Sequence, residues 1–156
     1  MRLQINPGVA VLAVILVVLH FVLRVGLGLG AFVPDLLIIA VLIVAREMRP
    51  ATAALTGLLL GFLEGAAVPY ALGPSALALT LIGYLGSRSR ELFSDENPIF
   101  YLIYLFLGKW LYDGILYVVT GLQPGMGSQL LLLSPLAAFY AALIGLAAVA
   151  VQRKLS

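Results

Sequence analysis

Hydrophobic and polar positions in this chain are segregated on the scale of whole helices. Six apolar stretches follow one another, and short gaps between them hold most of the charged residues. Long apolar stretches predict membrane-crossing α-helices, because a helix satisfies its own backbone hydrogen bonds where lipid offers none. The predicted crossings are residues 9–23, 31–45, 51–67, 75–87, 99–120 and 130–151.

The predicted crossings differ in length. The last two, of about 22 residues, are roughly 33 Å long and can span a bilayer. The second and fourth, of about 13–15 residues, reach only roughly 20–22 Å and need longer neighbours around them. Proline marks three helix starts, at Arg49-Pro50, Gly73-Pro74 and Asn97-Pro98.

The basic residues predict the orientation. Short cationic loops are disfavoured outside the membrane, so Lys and Arg collect in cytoplasmic segments. A cytoplasmic N-terminus leaves only Arg24 in an outer gap and predicts six crossings with both termini inside. The inside segments then carry Arg2, Arg46, Arg49, Arg88, Arg90, Arg153 and Lys154.

Composition agrees with one integral membrane domain over residues 1–156. The chain is 63% hydrophobic and 10% charged, too apolar to enclose a soluble core. Basic residues spread over separate loops build no groove for nucleic acid. The first apolar run lacks a clear cleavage site, so we interpret it as a crossing and not as a removed signal peptide.

The third crossing carries a ridge of small residues, which we name the glycine ridge: Gly57, Gly61 and Gly65, four residues apart. Small residues at this spacing let another backbone approach closely in lipid. Two interpretations stay open. The ridge packs inside the bundle, or it binds a partner helix.

Six ionisable residues are predicted to lie between the middle of the membrane and its outer face. Burying such groups is costly, so they mark functional candidates. His20 with Arg24, and Lys109 with Asp113, are each four residues apart and share a helix face. The group either locks helix order through ion pairs, or forms an outward polar cleft or a docking site. Its members are His20, Arg24, Asp35, Glu64, Lys109 and Asp113.

Enzymatic motifs are lacking in the sequence. There is one histidine and no cysteine, and neither H-E-x-x-H, G-x-S-x-G nor a phosphate loop occurs. We therefore predict no catalytic residues, no metal site and no cofactor.

Three consecutive segments resemble a known family. "PDLLIIAVLIVA" (34–45), "GLLLGFLEG" (57–65) and "LGPSALALTLIGYL" (72–85) are similar, in this order, to the rod shape-determining protein MreD. Pro69, Tyr70 and Pro74 depart from the family's pattern around the outer loop. The matching positions are Pro34, Asp35, Gly57, Gly61, Glu64, Gly73 and Leu77.

The resemblance implies a non-catalytic scaffold in the bacterial inner membrane, part of the cell-elongation machinery that controls cell shape and peptidoglycan synthesis. It implies direct binding of MreC, and an assembly that includes MreB, RodA and a class B penicillin-binding protein. It also implies the fold of the substrate-binding S components of energy-coupling-factor transporters. Candidate partner-binding residues are Pro34, Asp35, Gly57, Gly61, Glu64, Gly65 and Gly73.

The alternative function is that of an S component itself, which binds a vitamin or a metal for uptake. Such a subunit needs an outward pocket with polar groups that hold its ligand. The predicted outer gaps at residues 68–73 and 121–129 are short and offer few donors.

Overall fold

The computed structural model describes residues 5–26, 34–67, 72–92, 97–121 and 126–155, and within them the chain is almost entirely helical, without strands. A π-helical turn, Val22–Gly26, continues the first helix, and helical turns at Met126–Ser128 and Gln129–Leu133 precede the last. The six main helices are α1 (Pro7–Phe21), α2 (Leu36–Ala45), α3 (Pro50–Ala67), α4 (Leu72–Leu92), α5 (Pro98–Val119) and α6 (Ser134–Leu155).

Helix starts follow local capping chemistry. The Asn6 side chain accepts a hydrogen bond from the Gly8 amide at 3.0 Å, and Asn97 does the same for the Ile99 amide at 3.0 Å. Each satisfies an amide that has no partner within its helix. The expected start of the fourth helix at Pro74 is wrong, since α4 begins at Leu72. Proline is tolerated there because amides of the first turn have no intrahelical acceptor.

Within the residues that the structure describes, four segments are long and apolar enough to cross a membrane, which indicates a membrane protein. They are Pro7–Gly26, Pro50–Ala67, Pro98–Val119 and Leu131–Lys154. The fourth predicted run ends at Ser87, but α4 continues to Leu92. Its last turns carry an ion pair between Arg88 and Glu91, 3.0 Å apart. These polar residues explain why α4, although long, is not among the four apolar segments.

Helix α2 lies at the centre of the bundle. Each of its ten residues is buried, with 8% exposure or less. It packs against α1, α3, α4, α5 and α6. The outer helices surround α2 and turn large apolar side chains outward, among them Val14, Leu59, Leu107 and Leu136.

The glycine ridge of α3 is covered by α4. A Cβ on Gly57 would collide with the Leu79 carbonyl, one on Gly61 with the Ala76 backbone, and one on Gly65 with the Leu72 backbone. Gly83 of α4 is equally close to the Ala53 carbonyl. Of the two interpretations of the ridge, the structure favours packing inside the bundle, because α3 and α4 form a close helical hairpin there.

Helices α1 and α3 are not closely packed. Helix α1 lies against α2 and, more lightly, α6, whereas α3 lies against α4 and α2. Neither α1 nor its π-helical turn brings its backbone close to α3 over a shared length. We name this line between the two helices the α1–α3 seam. Side chains bridge it at one end.

Candidate functional site

All six ionisable residues predicted from the sequence lie in one connected group, which we name the charged cluster. They come from α1 with its π-helical turn, from α3, from α5 and from the residue before α2. Counted from its first residue, Glu64 lies roughly 21 Å along α3, and Lys109 roughly 16 Å along α5. The cluster is therefore well inside the hydrophobic length of both helices.

Glu64 is the acceptor on α3 for two groups of the α1 segment. Its Oε2 lies 3.1 Å from His20 Nε2, and its Oε1 accepts from the Arg24 guanidinium. Glu64 and His20 are 5% and 1% exposed, respectively. The π-helical turn carries Arg24 at the end of α1, where its side chain reaches across the seam. One carboxylate thus joins two helices whose backbones hardly meet.

Asp35 joins the two halves of the cluster. Its carboxylate lies 3.8 Å from Arg24 Nη1 and 2.7 Å from Lys109 Nζ. Asp35 occupies the N-cap position of α2, yet its side chain caps no amide of that helix. A carboxylate at a helix N-terminus is favoured by the helix dipole even so.

Lys109 completes the other half from α5. Its ammonium pairs with Asp35 and with Asp113, which is one helical turn further along the same helix. The sequence left open whether Lys109 pairs with Asp113 or Glu64. The structure pairs it with Asp113, and Glu64 is bound instead by His20 and Arg24.

Three residues of this region escape prediction from the sequence. The Ser134 hydroxyl at the start of α6 donates to Asp113, and Tyr112 of α5 interacts with Ser75 of α4. The Lys109 ammonium also lies 5.6 Å from the centre of the Tyr112 ring. Ser75 and Tyr112 are ordinary residues of apolar helices, and only their burial, 2% and 6% exposed, distinguishes them.

The charges of the cluster nearly cancel. Three carboxylates face two permanent cations, so the net charge is minus one with a neutral His20 and zero with a protonated one. Each carboxylate already accepts from at least two groups. In the described part of the chain, no group of three or more histidine or carboxylate side chains is arranged to bind a metal ion. The cluster thus links α1, α3, α5 and the start of α2 through paired charges.

The opposite end of the bundle holds a second buried cation. The Arg46 guanidinium lies 4.9, 5.2 and 5.3 Å from the ring centres of Phe100, Tyr101 and Tyr104, and Arg46 is 7% exposed. Arg153 of α6 lies 5.0 Å from the Tyr101 ring. The hydropathy pattern gives no sign that these rings surround an arginine.

The remaining partner-binding candidates lie in different surroundings. Pro34 directly precedes Asp35 and is half-buried. Gly57, Gly61 and Gly65 are covered by α4, as described above. Gly73 is exposed, with open space where a Cβ would be, and Leu77 is exposed on the same helix. The candidates therefore do not form one surface.

Comparison of the chain with protein-family models, with curated proteins and with solved structures gives no match.

Proposed function

We propose that this protein is a non-catalytic, multi-pass scaffold of the bacterial inner membrane, of the MreD kind, that binds MreC. In this proposal all six helices lie across the bilayer, with both termini in the cytoplasm. The charged cluster then lies in the outer half of the membrane, and Arg46, with the aromatic rings around it, lies near the cytoplasmic face.

The charged cluster carries the proposal. A subunit that captures a polar solute needs donors and acceptors directed into an open pocket. Here the carboxylates and cations of the cluster are directed at one another. This pairing favours a protein that positions other membrane proteins over a receptor for a small molecule.

The outward apolar faces are the surfaces available to a partner helix. The glycine ridge is occupied by α4, so a partner has to pack elsewhere. In lipid, such packing gains little from the exclusion of water and depends on close fit and a few polar contacts. Exposed side chains on α1, α3, α5 and α6 provide the candidate faces, for example Val14, Leu59, Leu107 and Leu136.

The test is functional replacement. The chain is expressed in a rod-shaped bacterium depleted of its own MreD, together with the MreC encoded in the same genome as the chain. We expect rod shape to return and MreC to co-purify. Round cells despite membrane-inserted protein, with no MreC recovered, would overturn the proposal. A photoreactive amino acid placed in turn at the four exposed positions named above then maps the contact face.

The S-component alternative rests on the predicted outward placement of the polar residues and on the fold that the resemblance implies. A thermal-shift series with riboflavin, thiamine, biotin and cobalamin separates the two functions. Ligand that binds only the folded state raises its stability by about 2.7 kcal/mol at a hundredfold excess over Kd. Strong stabilisation by one of these vitamins would favour the alternative, and uniformly unchanged melting would favour the scaffold.

A further inference from the structure

Helices α1 and α3 are joined across the α1–α3 seam in an unusual way. Over the described residues, the hydrogen bonds and ion pairs that cross it all end on one side chain, Glu64, which binds His20 and Arg24. Most neighbouring helices of the bundle are instead joined by packing along their lengths. The polar links across the seam therefore depend on a single buried carboxylate.

Helix α3 is held firmly on its other side. The glycine ridge fixes it to α4. Helix α4 is in turn tied to the end of α2, because Ser87 donates to the Met48 carbonyl at 2.6 Å and Arg90 donates to the Arg46 carbonyl at 3.2 Å. Any separation at the seam is then a movement of α1 and not of the α3–α4 hairpin.

Helix α1 is attached to the bundle by packing against α2 and by side-chain contacts near its outer end. Within the described chain, its polar links to other helices are confined to its outer end, at His20 and Arg24. Its inward stripe consists of Val9, Ala13, Leu16 and His20, and much of the remaining surface is exposed. Apolar packing in lipid gains no hydrophobic driving force, so such a stripe holds α1 only by close fit.

Arg24 has a second carboxylate within reach. Its Nη1 lies 3.8 Å from Asp35, which belongs to the α2 side of the cluster. When Arg24 leaves Glu64, it retains Asp35 as a partner, and the cost of release falls mainly on the buried Glu64 carboxylate. Release therefore leaves Arg24 paired but Glu64 without its cation, so the latched arrangement is the more stable one.

We propose that α1 is a movable gate helix, latched by the Glu64 contacts to His20 and Arg24, whose release opens the α1–α3 seam and uncovers α2 to the bilayer. This inference does not depend on the proposed scaffold function. It rests only on the packing of the helices and on the Glu64 contacts to His20 and Arg24.

Distance measurements between spin labels test the gate. The natural chain has no cysteine, so labels attach only at introduced positions. One pair, Val18→Cys with Leu59→Cys, spans the seam from two exposed sites. A second pair, Leu63→Cys with Leu77→Cys, reports on the α3–α4 hairpin from exposed sites.

In the Glu64→Gln variant we expect the seam pair to gain a second distance population several ångströms longer, while the hairpin pair is unchanged. Asp113→Asn is the matched control, since it also removes one carboxylate charge from the cluster but touches neither α1 nor α3. It should leave the seam distance at its original value.

Two results would overturn the gate. One is an unchanged seam distance in Glu64→Gln. The other is an equal change in Asp113→Asn, which would mean general loosening of the bundle. A changed hairpin distance would mark Glu64→Gln as misfolded, in which case Arg24→Gln, with Glu64 and His20 kept, replaces it and is judged by the same two distances.

Discussion

Lys109 illustrates how a permanent charge is kept within an apolar bundle. The residue is 4% exposed, and its ammonium lies between the carboxylates of Asp35 and Asp113. Desolvation of such a cation costs several kcal/mol, which two carboxylates offset only while both remain in place. The same argument applies to Glu64, which is bound by two basic side chains.

Replacement of Lys109 by Met should therefore be severely destabilising. The variant leaves Asp35 and Asp113 without their shared partner, and we expect a loss of about 3–5 kcal/mol in the free energy of unfolding. Denaturant titration of the purified protein in detergent measures the loss. Adding Asp113→Asn restores the original net charge and should recover part of it. If the double variant is as unstable as the sum of the single changes, the two residues are not coupled.

Tyr101 provides a second test at the residue scale. Its ring lies beside two guanidinium groups, 5.2 Å from Arg46 and 5.0 Å from Arg153. Tyr101→Leu removes both cation–π contacts and should cost about 1–2 kcal/mol. Tyr101→Phe keeps the aromatic face and should melt like the natural protein. Equal losses in the two variants would assign the effect to the hydroxyl and not to the ring.

At the scale of elements, hydropathy predicts where helices are but not how they end or meet. The predicted third and fifth crossings, residues 51–67 and 99–120, agree closely with α3 and α5. The fourth was underestimated because residues 88–91 are too polar to count in an apolar run, although they remain helical and include the Arg88–Glu91 ion pair. The helix that packs on the glycine ridge could not be predicted either. The spacing of small residues indicates that another helix approaches closely, but not which one.

The hairpin of α3 and α4 should be intolerant of even one added carbon at the ridge. Gly61→Ala places a Cβ against the Ala76 backbone, which cannot rotate away, and we expect a loss of about 1–3 kcal/mol. Gly114→Ala is the control on α5, where a Cβ meets open space. Alanine there should stabilise by about 0.5–1 kcal/mol through its better helix propensity. Thermal unfolding of both variants distinguishes packing from propensity, and equal stability would contradict close contact at Gly61.

At the scale of the whole molecule, the sequence predicted which residues belong to the charged cluster but not which of them pair with one another. Depth along each helix followed from counting residues, so all six groups were expected between the middle of the membrane and its outer face. The pairing of Asp35 with Lys109, and the addition of Ser134, depend on which helices are neighbours around α2. That order is a property of tertiary packing and leaves no periodic signal in any single segment.

Orientation in the membrane is testable at this scale because the chain lacks cysteine. Glu91 is exposed in the last turn of α4, ahead of α5 in the chain, and Thr120 is exposed directly after the last residue of α5. If α5 crosses with its N-terminus inside, a membrane-impermeant thiol reagent should modify Thr120→Cys in intact cells. Glu91→Cys should react only after permeabilisation. The reverse pattern would invert the predicted orientation, and reaction at both positions would mean that α5 does not cross.

The length and complete burial of α2 have a consequence for biogenesis. Ten helical residues rise only about 15 Å, half of the roughly 30 Å hydrocarbon layer, so this segment is a poor candidate to leave the translocon sideways as an independent unit. It has to be retained until later segments emerge and enclose it. Synthesis of the N-terminal third alone should consequently yield a product that cellular quality control degrades, although its residues are among the most apolar in the chain.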